Sequence, residues 1–147
     1  QPCMQILGRS DRVDLPKLGL YNIHAKVDTG AYTCSLHCST VEEVGGRLYF
    51  VLLDEEHPEF TGMKFSFKKF DRREIKNSFG EAEMRYVIKT TIRIHGRLIR
   101  AEFSLSNRGS LKFPILLGRK ILRNRFLIDV TKTDLSYLAK QGLADSG

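Results

Sequence analysis

The sequence predicts an all-β domain that closes into a small barrel and carries one or two short helices. Three observations predict it. Apolar residues alternate with polar ones in short runs, glycine-containing turns separate the runs, and only two segments keep a helical period. Closure follows from the number of strands, because a barrel leaves no edge open to a foreign strand. Of the 147 residues 41% are apolar and nine are Phe, enough for one core, so residues 1–147 are expected to form a single domain.

Taken in order, Met4–Leu7 and Arg12–Leu15 read as a first hairpin around Gly8-Arg9-Ser10-Asp11. Ile23–Asp28 is a one-sided strand, with Ile23, Ala25 and Val27 on one face, and Thr33–Cys38 follows it across a tight turn. Arg47–Leu53 is a strongly apolar strand introduced by Gly45-Gly46. Met63, Phe65 and Phe67 alternate with Lys64, Ser66 and Lys68. Arg85–Ile94 and Leu98–Leu105 make the clearest hairpin, turning at His95-Gly96. The apolar run Phe113–Leu117 ends in Gly118-Arg119, a short helix over Arg119–Asn124 comes next, and Phe126–Val130 returns to strand. A last helix, Asp134–Gln141, has Thr133 as its cap, Leu135 and Leu138 on one side, and Gly142 as its stop; it belongs to a helical extension over 131–147.

Composition bounds the partners. The net charge is +7, from 24 basic and 17 acidic side chains. Basic residues gather in Lys68–Lys76 and at Arg119, Lys120, Arg123 and Arg125. A field of this sign attracts acidic peptides or, less favoured here, nucleic acid; ordinary solvated surface is the plain alternative. No window approaches the length of a membrane span. Three Cys do not make a disulfide framework: Cys34 and Cys38 share a strand face about 13 Å apart, too far for a bridge. Cys34, His37 and Cys38 could be read as a soft-metal patch, yet a structural zinc site wants four ligands in one place, so buried thiols and no metal are the expectation. Reduced thiols suggest the cytoplasm, while a chain opening on Gln1 leaves the periplasm open.

The chemistry concentrates at Asp28-Thr29-Gly30, which closes the Ile23–Val27 strand. Two carboxylates close enough to share one proton cannot both ionise, so one serves as base toward a water while the other stays protonated. Asp28 would supply one of them. Thr29 offers a short hydroxyl to orient the pair, and Gly30 lets the backbone approach closely. A strand-end turn in which Asp28 accepts local amide hydrogens is the alternative.

A strand that delivers Asp-Thr-Gly, paired with a late Ile115-Leu116-Leu117-Gly118-Arg119, resembles the retropepsin-like aspartic proteases. The chain looks closer still to the bacterial retropepsin-like family long labelled "ATP-dependent zinc proteases". That resemblance rests on Leu15–Leu20, Ala25–Ala31, Leu36-His37, Ile88–Thr91, Leu116–Arg119 and Arg125–Asp129. It implies an acid-protease barrel, peptide hydrolysis, Asp28 as catalytic residue, and Thr29, Gly30, Ala31, Gly118 and Arg119 in support. It also implies a flap within 54–83, where Lys68, Lys69, Arg72 and Arg73 would meet the substrate. Neither half of the label finds residues here: there is no zinc ligand set and no phosphate-binding loop, so no cofactor is expected. Members of the family tend to accompany ATP-grasp ligases that add glutamates to proteins, which makes acidic peptides the preferred substrate class.

Asp145-Ser146-Gly147 has no strand behind it and reads as a frayed tail. A dyad therefore calls for Asp28 from each subunit of a homodimer. Tyr32 stands where viral relatives commonly carry an acidic residue, so Arg119 needs another partner: Asp129, or the ring of Tyr32. From a different class, a non-catalytic module that binds peptide or nucleic acid on the same scaffold remains the rival reading.

Overall fold

The computed structural model describes residues 3–77, 79–107 and 113–142; the Asp145-Ser146-Gly147 tail lies outside them. Among the described residues, eleven strands and two short helices follow one another along the chain. They are β1 (Gln5–Leu7), β2 (Ser10–Leu15), β3 (Leu20–Val27), β4 (Cys34–Val44), β5 (Arg47–Leu52), β6 (Lys64–Phe67), β7 (Asp71–Lys76), β8 (Ala82–Ile94), β9 (Arg97–Ser106), β10 (Ile115–Leu117), α1 (Arg119–Leu122), β11 (Phe126–Ile128) and α2 (Leu135–Lys140).

Six strands close a barrel in the order β10-β3-β2-β8-β9-β4, and β4 pairs back onto β10. β10 performs the closure: it runs parallel to β3 and antiparallel to β4, with Ile115 opposite both Ala25 and Leu36. Inside, Leu15, Ile23, Leu36, Phe50, Ile88, Ile92, Phe103 and Ile115 are fully buried. Their contiguity supplies most of the driving force for closure. The two-residue hairpin turns at Gly45-Gly46 and His95-Gly96 both place consecutive residues at positive φ, 59° and 78° in the first, 51° and 69° in the second. That geometry matches the strand twist, and His95 is one of the side-chain types that enter this region more readily than most.

Two expected local features give way to long-range ones. β1 does not form a hairpin with β2; it pairs in parallel with β11, Ile6 opposite Leu127, while β2 pairs with β3. Gly8 sits at the crossing, where a Cβ would fall 2.0 Å from the carbonyl oxygen of Lys132. A hairpin there would have buried neither β11 nor the segment behind it. Thr133 does not cap α2 either. The cap residue Asp134 adopts a left-handed conformation and offers no side-chain cap, and the fully buried carboxylate of Asp11 takes the N–H groups of Ser136 and Tyr137 instead. Lys140 at the other end of α2 reaches Asp14 at 2.9 Å, so two β2 carboxylates hold the helix at both ends. Gly142 ends the helix at φ 76°, as its sequence position predicts.

Candidate active site

The closure strand determines the site. In the parallel β10–β3 ladder Leu117 lies opposite Val27, so the next residues, Gly118 and Asp28, leave the sheet side by side. Asp28 N–H donates to the Leu117 carbonyl at 2.9 Å. Beyond it the loop folds on itself, with Ala31 N–H on the Asp28 carbonyl at 3.1 Å and Gly30 N–H on the Asp28 Oδ1 at 3.0 Å. A Cβ on Gly30 would press on that same Oδ1 at 3.2 Å.

From the other side, α1 begins against the loop. Arg119 N–H donates to the Ala31 carbonyl at 2.8 Å, and Lys120 N–H to the Tyr32 carbonyl at 3.0 Å. The Arg119 guanidinium donates to the Thr29 carbonyl at 2.8 Å and lies 5.8 Å from the centre of the Tyr32 ring. Of the two partners expected for Arg119, Tyr32 is the one it meets. Asp129 instead binds the N–H and hydroxyl of its neighbour Thr131, whose hydroxyl bond holds the carboxyl below the usual range. Gly118 is pressed between these contacts, and a Cβ there would lie 2.6 Å from the Tyr32 carbonyl oxygen. Asp28 is half-buried and Thr29 exposed on the single protomer. Asp28, Thr29, Gly30, Ala31, Gly118 and Arg119 thus form one continuous unit, with the Asp28 carboxylate fixed by its own loop.

The expected flap residues stand on other elements, the β6–β7 turn and β7. Lys68 and Lys69 are exposed in the turn between β6 and β7, and the β7–β8 hairpin carries Phe79 at its tip, 88% exposed. Two of the four expected cations are already engaged. Arg72 grips Glu43 with both its Nε and an Nη. Arg73 holds Glu102 at 2.6 and 2.9 Å and Asp71 at 2.8 Å.

Sequence reasoning missed the residue at the centre of that last network. Glu102 on β9 is buried, its side chain 8% exposed, and it also binds Lys120 Nζ at 2.6 Å. Hydrogen bonds from Arg73 and then Lys120 pull its carboxyl down to about 2, against an ordinary 4.5. A carboxyl depressed on folding contributes stability that is complete above its unfolded value and fades as pH falls from about 4.5 toward 2. The shift corresponds to a ceiling of about 3 kcal/mol, nearer 2 because water reaches both cations. Glu102→Gln should therefore unfold at lower urea than the parent at pH 6, with the gap narrowing as pH falls below about 4.5 and closing only near pH 2; a gap independent of pH would rule this out.

The thiols behave as buried apolar groups. Burial pushes Cys34 and Cys38 up to about 12, while Cys3 is exposed. His37 turns its Nε2 to Asp54 at 2.8 Å, and among the described residues no three His, Cys, Asp or Glu side chains are grouped to hold a metal ion. Nor is any described helix long and apolar enough to cross a membrane.

A closed six-stranded barrel whose Asp-Thr-Gly loop is clamped by a Gly-Arg turn defines a retropepsin-like domain. The chain belongs to the RimB-like family, described as the retropepsin-like aspartic endopeptidase RimB, whose family model matches residues 6–137. Curated relatives carry another name. A probable alpha-L-glutamate ligase of Shewanella pealeana is 35% identical over 132 residues, covering 87% of this chain and 29% of the ligase. One of Desulfotalea psychrophila is 33% identical over 144 residues, covering 95% and 31%. The chain thus spans less than a third of the length of these relatives. Among solved structures, a Legionella pneumophila protein of unknown function shares the fold, with a TM-score of 0.64 at 24% identity over 88% of this chain and 96% of that one.

Proposed function

We propose that this chain is an aspartic peptidase acting as a twofold homodimer, in which Asp28 of one subunit and Asp28 of the other activate a water, and that its substrates are acidic peptides. The observation that carries it is the clamped Asp28 loop: Leu117, Gly118 and Arg119 hold its backbone, and among the described residues there is no second loop of this kind. One loop supplies one carboxylate, so a second copy completes the pair. The shared proton then leaves one carboxyl as acid and the other as base, and the reaction calls for no metal ion or nucleotide.

Acidic substrates are supported by charge and by the relatives. A net +7 and the exposed Lys68, Lys69 and Lys76 beside the presumed flap favour Glu- or Asp-rich chains, although Arg72 and Arg73 contribute less because their own carboxylates hold them. Proteins named for ligating glutamate, in which the counterpart of this chain is one part, make glutamate-rich tails the natural candidates. Matched Glu-rich and Lys-rich peptides, assayed at low and high salt alongside sedimentation of the active species, test both halves. The expected outcome is a dimer that prefers the Glu-rich peptide at low salt. Cleavage by a strictly monomeric species would overturn the dyad, and equal cleavage of both peptides would end the acidic preference. The relatives' name favours a second reading, a module that binds such tails without cutting them. Salt-sensitive binding with no cleavage at any pH would select it.

A further inference from the structure

We propose that a concavity on the outer surface of β8, β9 and α1 is a binding site for a short acidic peptide segment, an exosite apart from the Asp28 loop. It measures about 280 Å³ and is lined by Lys89, Arg100, Glu102, Lys120 and Arg125, with Cys34, Ala101 and Ile121 as its apolar floor. Asp28, Thr29 and Gly30 do not line it. Its volume is at the low end of small-ligand sites, which run from roughly 300 Å³ upward, and suits a few side chains rather than a folded partner.

The charge in this concavity is neutralised from within only at Lys120. Glu102 is its single lining carboxylate, and both its oxygens are taken by Arg73 and Lys120. Among the described residues Lys89 and Arg100 make no ion pair and no side-chain hydrogen bond, and Arg125 donates to the Ile121 carbonyl at 3.2 Å, which fixes it at the rim without cancelling its charge. Grouped like charges cost the fold stability, a cost that an anionic ligand relieves. These cations stand on β8, on β9 and after α1 instead of converging from one loop, so they match carboxylates spaced along a chain better than one compact anion.

Lys120 ties the exosite to the clamp. Its backbone holds the Tyr32 carbonyl beside Arg119, while its Nζ reaches into the concavity. A long acidic substrate would be anchored here while another part of it reaches Asp28, and the local concentration so gained tightens its binding. This inference rests on the acidic-substrate reading above but not on catalysis.

The test uses the full chain carrying Asp28→Asn, so that binding is read whether or not the parent cleaves. A fluorescent hexaglutamate should bind at low salt, and Lys89→Gln with Arg100→Gln should weaken it at least tenfold. Lys17→Gln with Lys132→Gln removes the same charge from exposed positions elsewhere and should change it less than twofold. Equal weakening by the two pairs, absence of binding, or tighter binding of a single-stranded oligonucleotide to the same residues would overturn the proposal.

Discussion

Replacing Asp28 by Asn is expected to abolish peptide cleavage, by roughly a thousandfold or more, and to leave the fold intact. Asn keeps the shape of the side chain, and its amide oxygen still accepts the Gly30 N–H that Asp28 Oδ1 accepts at 3.0 Å. What it loses is the ability to ionise or to share a proton with a second carboxyl. Both protomers of the proposed pair lose it together, so no residual base stays on the axis. The measurement is cleavage of a glutamate-rich peptide across pH 3 to 8, with circular dichroism as the control for folding. Full activity in the variant would show that some other group activates the water.

Gly118→Ala should destabilise the fold and cost ~3 kcal/mol or more. The cause is contact and not backbone strain, since Gly118 has φ −90°, which any residue adopts. The added methyl would lie 2.6 Å from the Tyr32 carbonyl oxygen and 2.8 Å from two Thr33 atoms, all of them backbone and unable to swing aside. Relief requires α1 to retreat from the loop, which breaks the hydrogen bonds that the Arg119 and Lys120 N–H groups donate to the Ala31 and Tyr32 carbonyls. Urea unfolding should show a lower midpoint, and any folded fraction should cleave poorly because its Asp28 loop is released. A midpoint equal to the parent's would mean that the clamp yields at no cost.

The parts of this structure legible in the sequence are those written in local pattern. Ile23–Val27 alternates, so β3 was readable, and the β8–β9 hairpin announced itself through long alternating runs around His95-Gly96. Asp-Thr-Gly and Gly-Arg were readable as residue types, and the structure joins them through a register, Leu117 opposite Val27, that no local pattern encodes. β7 escaped notice because Asp71-Arg72-Arg73-Glu74-Ile75-Lys76 is almost wholly charged. Its strand is made by pairing with β8 and by ion pairs to Glu43 and Glu102, each 29 residues away. The β1–β11 ladder and the Asp11 cap escaped for the same reason, with partners more than a hundred residues apart. In the site, Glu102 looked like one polar residue of an alternating strand, and only its cross-strand neighbours reveal what it holds.

The closure strand also sets a schedule for biosynthesis. Asp28 is made early, yet the groups that immobilise its loop, Leu117 to Lys120, arrive some ninety residues later, and β1 waits longer still for β11. Contacts this distant in sequence form slowly and only after the intervening chain exists. A nascent chain still on the ribosome therefore carries Asp28 in an unassembled loop. The activity proposed for it would switch on only when its last barrel strand has cleared the exit, a timing supplied by topology.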